Sequence, residues 1–247
     1  MERIIYQQMA AIENQHWWFV ARRQIIASVL HRLHLSSQSR ILEAGCGTGG
    51  NLDLLNQFGH VSAFEPDDEA REHACKGRNP NQYDIRSGYL PDSIPFEIAS
   101  FDLVVALDVL EHLDDDQRCL IALRKHLKPG GWGLFTVPAF PFLWSRHDEL
   151  HHHKRRYRKN GLVTTLFSAG FEDLRITYFN TILFPMIAGV RLSKNLLGSC
   201  VSRDDQMPSE KTNRILTWIF ASEHRLIGRL PLPFGVSLLA TARNPKI

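Results

Sequence analysis

Residues 40–52 read RILEAGCGTGGNL. The apolar side chains of Ile41, Leu42 and Ala44 predict a strand over 40–46, and the glycines Gly45, Gly47, Gly49 and Gly50 break it into a tight turn that opens a helix over 51–58. Glycine there allows a sharp bend and lets a ligand come close to the backbone. Outward from this turn, strand and helix alternate. A strand is expected at 60–65, stopped by Pro66, then a helix at 67–76 that starts on acidic residues. A weak strand follows at 83–88. Residues 101–109, FDLVVALDV, are almost continuously apolar, as for a strand covered on both faces. A helix at 114–127 has three aspartates at its positive end and is closed by Lys128-Pro129-Gly130-Gly131, before a strand at 132–137. A helix at 162–169, a strand after Gly170 and a strand at 236–242 complete the pattern. This alternation predicts a doubly wound α/β sheet. Ligands in such sheets lie beyond the carboxyl ends of the strands, so the stretches ILEAGCGTGG and ALDVLEH are where chemistry is expected.

Composition narrows the class. With 247 residues, 44% apolar and 22% charged, the chain suits one large domain with an elaboration and excludes a disordered or collagen-like protein. A net charge of +3 gives no argument for a nucleic-acid partner. Cys46, Cys75, Cys119 and Cys200 form no CxxC pair, so neither a disulfide framework nor a zinc knuckle follows. Residues 1–11 lack the apolar core of a signal peptide, and the expected compartment is the cytoplasm. The stretch 178–190, YFNTILFPMIAGV, is shorter than the roughly 20 residues of a membrane span and contains Asn180 and Pro185. It is expected to be a lid or core helix, with membrane-surface contact as the alternative.

The glycine turn by itself fits two kinds of ligand. Gly45, Gly47 and Gly50 satisfy a dinucleotide fingerprint, with Glu65 about 20 residues on, where a ribose-binding acid belongs. Glu43 decides between them. A fixed carboxylate two residues before the first glycine would repel a pyrophosphate but attract an ammonium or sulfonium group. A ligand with an amino group at one end and a ribose at the other fits, and S-adenosylmethionine is such a molecule.

ILEAGCGTGGNL, AFEPDDEA, FDLVVALDVLEHLDDD and LRKHLKPGGWGLFTVP, in this order and spacing, resemble a class I S-adenosylmethionine-dependent methyltransferase, in particular the bacterial group acting on small molecules. The resemblance covers about residues 40–177 and touches HWWFVARR and the last strand. It implies a Rossmann-like seven-stranded sheet with an antiparallel last strand. Here residues 1–37 would form a helical cap, 38–247 the cofactor-binding domain and 178–235 a helical insertion on the substrate side. It further implies that Glu43 and the Gly45–Gly47 backbone hold the methionine part of the cofactor. Glu65 would bind the ribose, Pro66 would lie beside the adenine, and Leu107 and Asp108 would line the cofactor. Tyr89 stands where the family often has an acid that contacts the adenine amine, so stacking or a backbone contact is expected instead.

Trp18 and Arg22 lie one helical turn apart and are candidates for a cap, the ring beside a sulfonium and the guanidinium at a carboxylate. The other reading makes the tryptophans a core stripe and the arginines solvated. Residues 147–159, HDELHHHKRRYRK, fail the HExxH zinc pattern because the acid is misplaced, so no metal site is expected. His112, His153 and, more weakly, Tyr157 are the candidate acid/base groups, since imidazole titrates near neutrality. Tyr178, Phe179, Asn180 and Phe184 are the expected acceptor pocket, for a small molecule that is anionic or lipophilic, in a monomer or homodimer. Two further functions fit the residues: use of S-adenosylmethionine for cyclisation or alkyl transfer with release of methylthioadenosine, and an NAD-dependent dehydrogenase.

Overall fold

The computed structural model describes residues 3–196 and 206–246; Cys200 and part of the expected insertion lie outside them. The seven strands are β1 (Arg40–Ala44), β2 (His60–Glu65), β3 (Tyr83–Ser87), β4 (Phe101–Leu107), β5 (Leu127–Pro138), β6 (Glu172–Phe179) and β7 (Ser237–Arg243). They form one sheet in the order β3-β2-β1-β4-β5-β7-β6. β1 pairs in parallel with both β2 and β4, whereas β7 runs antiparallel to β5 and β6. The chain winds outward from β1 to β3 and then returns to the other side of β1. The turns after β1 and β4 therefore open side by side at the switch point of the sheet.

The helices are α1 (Arg3–Ile12), α2 (Trp17–Leu30), α3 (Leu52–Leu55), α4 (Asp68–Cys75), α5 (Asp116–His126), α6 (Arg146–Leu150), α7 (Lys159–Ser168), α8 (Phe184–Leu196) and α9 (Glu210–Ala221). Their starts follow the sequence. The side chains of Asp67 and Asp115 accept from the amides of Ala70 and Arg118, capping α4 and α5. Because side chains alternate across a strand, Leu103 and Val105 of β4 enter one core with Ile25, Ile26 and Leu30 of α2 and Phe220 of α9. Val104 and Ala106 enter the other core with Leu120 and Leu123 of α5 and Leu162 and Leu166 of α7. Both faces of β4 are thus buried, which explains its unbroken apolar run.

Three boundaries differ from the sequence reading. The helical cap expected over 1–37 consists of α1 and α2 with a break between them, where the His16 ring caps α2 by accepting from Trp18 N at 3.3 Å. β5 begins at Leu127, so Lys128–Gly131 extend the strand instead of closing α5. Tyr178 and Phe179 belong to β6, opposite Leu238 and Ser237 of β7. A helical insertion can therefore start only at Asn180. No helix among the described residues is long and apolar enough to cross a membrane.

Candidate active site

A cavity of about 670 Å³ lies over the switch point, within the size usual for a cofactor with a small partner. One end is the glycine turn. Gly45, Gly47 and Gly49 have φ of 65°, 54° and 88°, the left-handed region that an L side chain resists. The amide of Gly47 donates to Glu65 Oε2 at 2.8 Å, and that of Asp67 donates to Glu65 Oε1 at 3.1 Å. Glu65 thus shapes the turn while keeping lone pairs for a ligand. Burial pushes its carboxyl above the ordinary range.

The N-terminal arm closes over this turn. Arg23 of α2 donates to the carbonyls of Gly50 and Glu13 at 3.3 and 2.8 Å, and Thr48 Oγ1 donates to Glu13 Oε2 at 2.7 Å. A Cβ on Gly50 would stand 2.4 Å from that same Glu13 oxygen, so a larger residue at 50 would displace the Glu13 side chain from Thr48. Arg22 is buried and forms an ion pair with Asp108, whose other oxygen accepts from Thr136 Oγ1 at 3.0 Å. Asp108 itself has φ of 56°. The rings of Trp17 and Trp18 lie 5.9 and 5.3 Å from Phe220 in the core, and both residues line the cavity.

The other end is made by the loops after β4 and β5. A 3-10 turn over Leu110–His112 brings Glu111 and His112 to the cavity, and the segment after β5 brings His147, His151, His153 and Arg156. Lys154 N donates to the carbonyl of Glu111 at 2.7 Å, which ties the two loops together. At their junction Asp148 is fully buried. It closes a capping box with Ser145 and accepts from Arg156 Nε at 2.7 Å and from His153 Nδ1 at 2.9 Å. Those donors hold its carboxyl well below the usual range against the opposing effect of burial. A carboxylate so held only accepts, so Nδ1 of His153 is the donor in that bond and Nε2 stays outside it. His153 and His112 meet edge to face with ring centres 4.8 Å apart. Burial, then His153, lower His112 to about 3, so it is a neutral imidazole at pH 7. Glu111 is fully buried, and burial followed by the like charge of Asp108 raises its carboxyl far above the usual range.

Of the residues expected from sequence, Trp18, Arg22, Gly45, Gly47, Glu65, Pro66, Tyr89, Leu107, Asp108, His112 and His153 are brought to one cavity. Six others do not line it. Glu43 is 1% exposed, hydrogen-bonded to Asn51 Nδ2 at 3.1 Å, and pushed up to about 7 by burial. Asn51 and Arg22 do line the cavity, and both favour the ionised form of Glu43 against the effect of burial. The Tyr157 hydroxyl donates to Asp116 Oδ2 at 2.6 Å beneath the loop and, with burial, is raised away from any acid/base range. Tyr178 stacks on Phe140 at 5.0 Å, Phe179 packs on Phe220 at 6.0 Å, and Phe184 packs on Phe140 and Phe234. Asn180 is fully buried at a left-handed bend with φ of 55°. Tyr178 and Phe179 end a strand in the core, Asn180 follows it and Phe184 opens α8, and none of the four lines the cavity. Met186, Ile187, Val190 and Arg191 of α8 line it instead.

Glu13, Asn51, Glu111 and Asp148 were missed. The last two had a signal: Ser145-x-x-Asp148 is a capping pattern, and Glu111 lies inside the LEH of a stretch already marked for chemistry.

The model of the methyltransferase-domain family matches residues 15–174. The chain belongs to that family. The match runs from Gln15 through α2 and strands β1 to β5 into the start of β6, in keeping with the contacts of α2 to the glycine turn. A probable S-adenosylmethionine-dependent methyltransferase of Mycolicibacterium smegmatis is 31% identical over 163 residues, covering 65% of this chain and 62% of that relative. The chain therefore matches less than two thirds of that relative's length. A ubiquinone biosynthesis O-methyltransferase of Idiomarina loihiensis is 30% identical over 174 residues, covering 63% of this chain and 69% of the relative. The structure of Haemonchus contortus phosphoethanolamine N-methyltransferase 2 in complex with S-adenosyl-L-methionine superimposes with a TM-score of 0.61 at 18% identity. It covers 90% of this chain and 52% of that one, a likeness of fold. The seven-stranded sheet with its antiparallel β7 is the class I S-adenosylmethionine-dependent methyltransferase fold.

Proposed function

We propose that this protein binds S-adenosylmethionine at the glycine-turn end of the cavity and transfers its methyl group to a small molecule held at the histidine end. The observation that carries this reading is the continuity of the cavity from Gly45–Gly47 and Glu65 to His112 and His153. Glu65 has oxygens left for ribose hydroxyls, Pro66 and Tyr89 flank the adenine, and Asp108, Arg22 and the turn surround the amino-acid tail. Glu43 orients that tail through Asn51 and Arg22. In the transfer, a lone pair of the acceptor forms the bond to the methyl carbon as the carbon–sulfur bond breaks. The released pair stays on sulfur, giving S-adenosylhomocysteine, and an acidic acceptor proton leaves at the histidine end. The protein's share of the work is alignment of donor and acceptor.

Residues 1–37 act as the cap over the cofactor, and 180–235 as the substrate-side cover. The relatives named for ubiquinone biosynthesis support an acceptor with an apolar body. So do Met186 and Val190, half-exposed on α8 where they line the cavity.

Thermal shift with S-adenosylmethionine, S-adenosylhomocysteine, methylthioadenosine and NAD tests the binding. The first two should raise the melting temperature and NAD should not. Mass identification of the nucleoside by-product tests the reaction. S-adenosylhomocysteine is expected, and methylthioadenosine would mean alkyl transfer instead.

A further inference from the structure

Glu111 poses a problem that the methyl-transfer reading leaves unsolved. Its side chain is fully buried at the cavity wall, yet neither carboxylate oxygen has a hydrogen-bond partner. A buried carboxyl without partners is expensive unless it stays neutral or meets a cation. The two nearby guanidinium groups are committed elsewhere, Arg22 to Asp108 and Arg156 to Asp148 and the Ala139 carbonyl. What does face Glu111 is a pair of imidazoles. One ligand atom from each of Glu111, His112 and His153 lies within 4.8 Å of the others. Around a tetrahedral zinc with bonds of about 2.1 Å such atoms stand roughly 3.4 Å apart, a closure that side-chain rotation supplies. Because Nδ1 donates to the buried Asp148, Nε2 is the His153 nitrogen left to coordinate an ion. A carboxylate behind a histidine in this way is the usual support of a metal ligand.

We propose that Glu111, His112 and His153 bind one divalent transition-metal ion, with zinc, cobalt or manganese preferred over magnesium or calcium because two of the three donors are imidazole nitrogens. Three protein ligands leave a coordination position open toward the cavity. That position takes an oxygen of the acceptor and holds it in ionised form, so the acceptor class is an alcohol, phenol or carboxylic acid. The site explains the orphaned Glu111 and gives His112 and His153 a joint task. The proposal rests on the methyl-transfer reading only for the acceptor, not for the ion itself.

The test uses the full chain, stripped with a chelator, dialysed against zinc or cobalt(II) and analysed for metal content and visible absorption. About one ion per chain is expected, with the d–d bands of a low-symmetry cobalt site. Glu111→Gln should weaken cobalt binding at least tenfold while melting cooperatively. His153→Cys should add a sulfur-to-cobalt charge-transfer band, which appears only if position 153 is a ligand. No saturable binding, or binding that survives Glu111→Gln with no new band in His153→Cys, would overturn the proposal and assign the ion to surface histidines. Titration of S-adenosylmethionine into the metal-free protein separates the two readings. Retained binding leaves methyl transfer standing if the metal fails, and lost binding with metal retained removes the cofactor and keeps the ion.

Discussion

The two ends of the cavity are built by different means. At the cofactor end the backbone shapes the surface: glycines at positive φ, amides donating to Glu65, and α2 clamped on the turn through Arg23 and Glu13. At the histidine end the surface is side chains from three remote segments, and in one of them the buried carboxylate of Asp148 holds His153 and Arg156. Backbone geometry tolerates few sequences and so suits a ligand that never changes. Side chains on loops and on α8 can vary without disturbing the sheet, which suits an acceptor that differs from one enzyme to the next.

Asp148→Asn should break the acceptor end hardest. The amide offers an N–H to His153 and releases its Nδ1 proton placement, so kcat is expected to fall by about 10²-fold or more. Affinity for S-adenosylmethionine, read by calorimetry, should stay within about threefold. Equal loss of both would mean that the two ends are one mechanical unit.

Glu43→Gln attacks the cofactor end. Loss of a buried charge near a cationic tail should weaken S-adenosylmethionine by about 10–100-fold. The pH dependence has a definite sign. Burial raises Glu43 to about 7, and a cationic ligand favours its ionised form. Affinity of the native protein should therefore climb as pH rises toward 7 and level off above it, whereas the glutamine variant should show no such climb. In the ligand-free protein the same raised carboxyl contributes stability that is fully present below the unfolded value of 4.5 and lost as pH rises through 7. Melting temperature measured from pH 4.5 to 8 should fall relative to the variant over that window.

Most of the sheet was legible because burial leaves a one-dimensional trace. β4 is apolar throughout because both its faces are covered, and the capping aspartates of α4 and α5 stand in the sequence as written. The glycine turn was legible for a related reason, since consecutive residues form it. The acceptor end was not. Asp148 lies in a run that reads as a basic cluster, and its partners are 5 and 8 residues away on a loop whose path only tertiary contacts fix. Glu43 was legible as important but misplaced: its strand position points it inward, where Asn51 meets it first. The misreading of 178–184 came from taking an apolar run as one segment, although the left-handed bend at Asn180 divides a core strand from a helix.

Smaller effects sharpen the division. Tyr157→Phe removes the bond to Asp116 and should cost about 1–2 kcal/mol of stability in chemical denaturation, with the pH profile of kcat unchanged. A shifted profile would return Tyr157 to the chemistry. Tyr178→Phe should do least, with less than about 0.5 kcal/mol and no change in acceptor KM, because its ring stacks on Phe140 outside the cavity.

The most direct test is a crystal structure of the protein with S-adenosylhomocysteine bound. The ribose should lie on Glu65, the amino group should meet Asn51 or the glycine turn with Glu43 behind it, and the sulfur should face His112 and His153. An adenine at the histidine end, or a sulfur turned toward Tyr89 and away from the histidines, would contradict the division of this cavity into a donor end and an acceptor end.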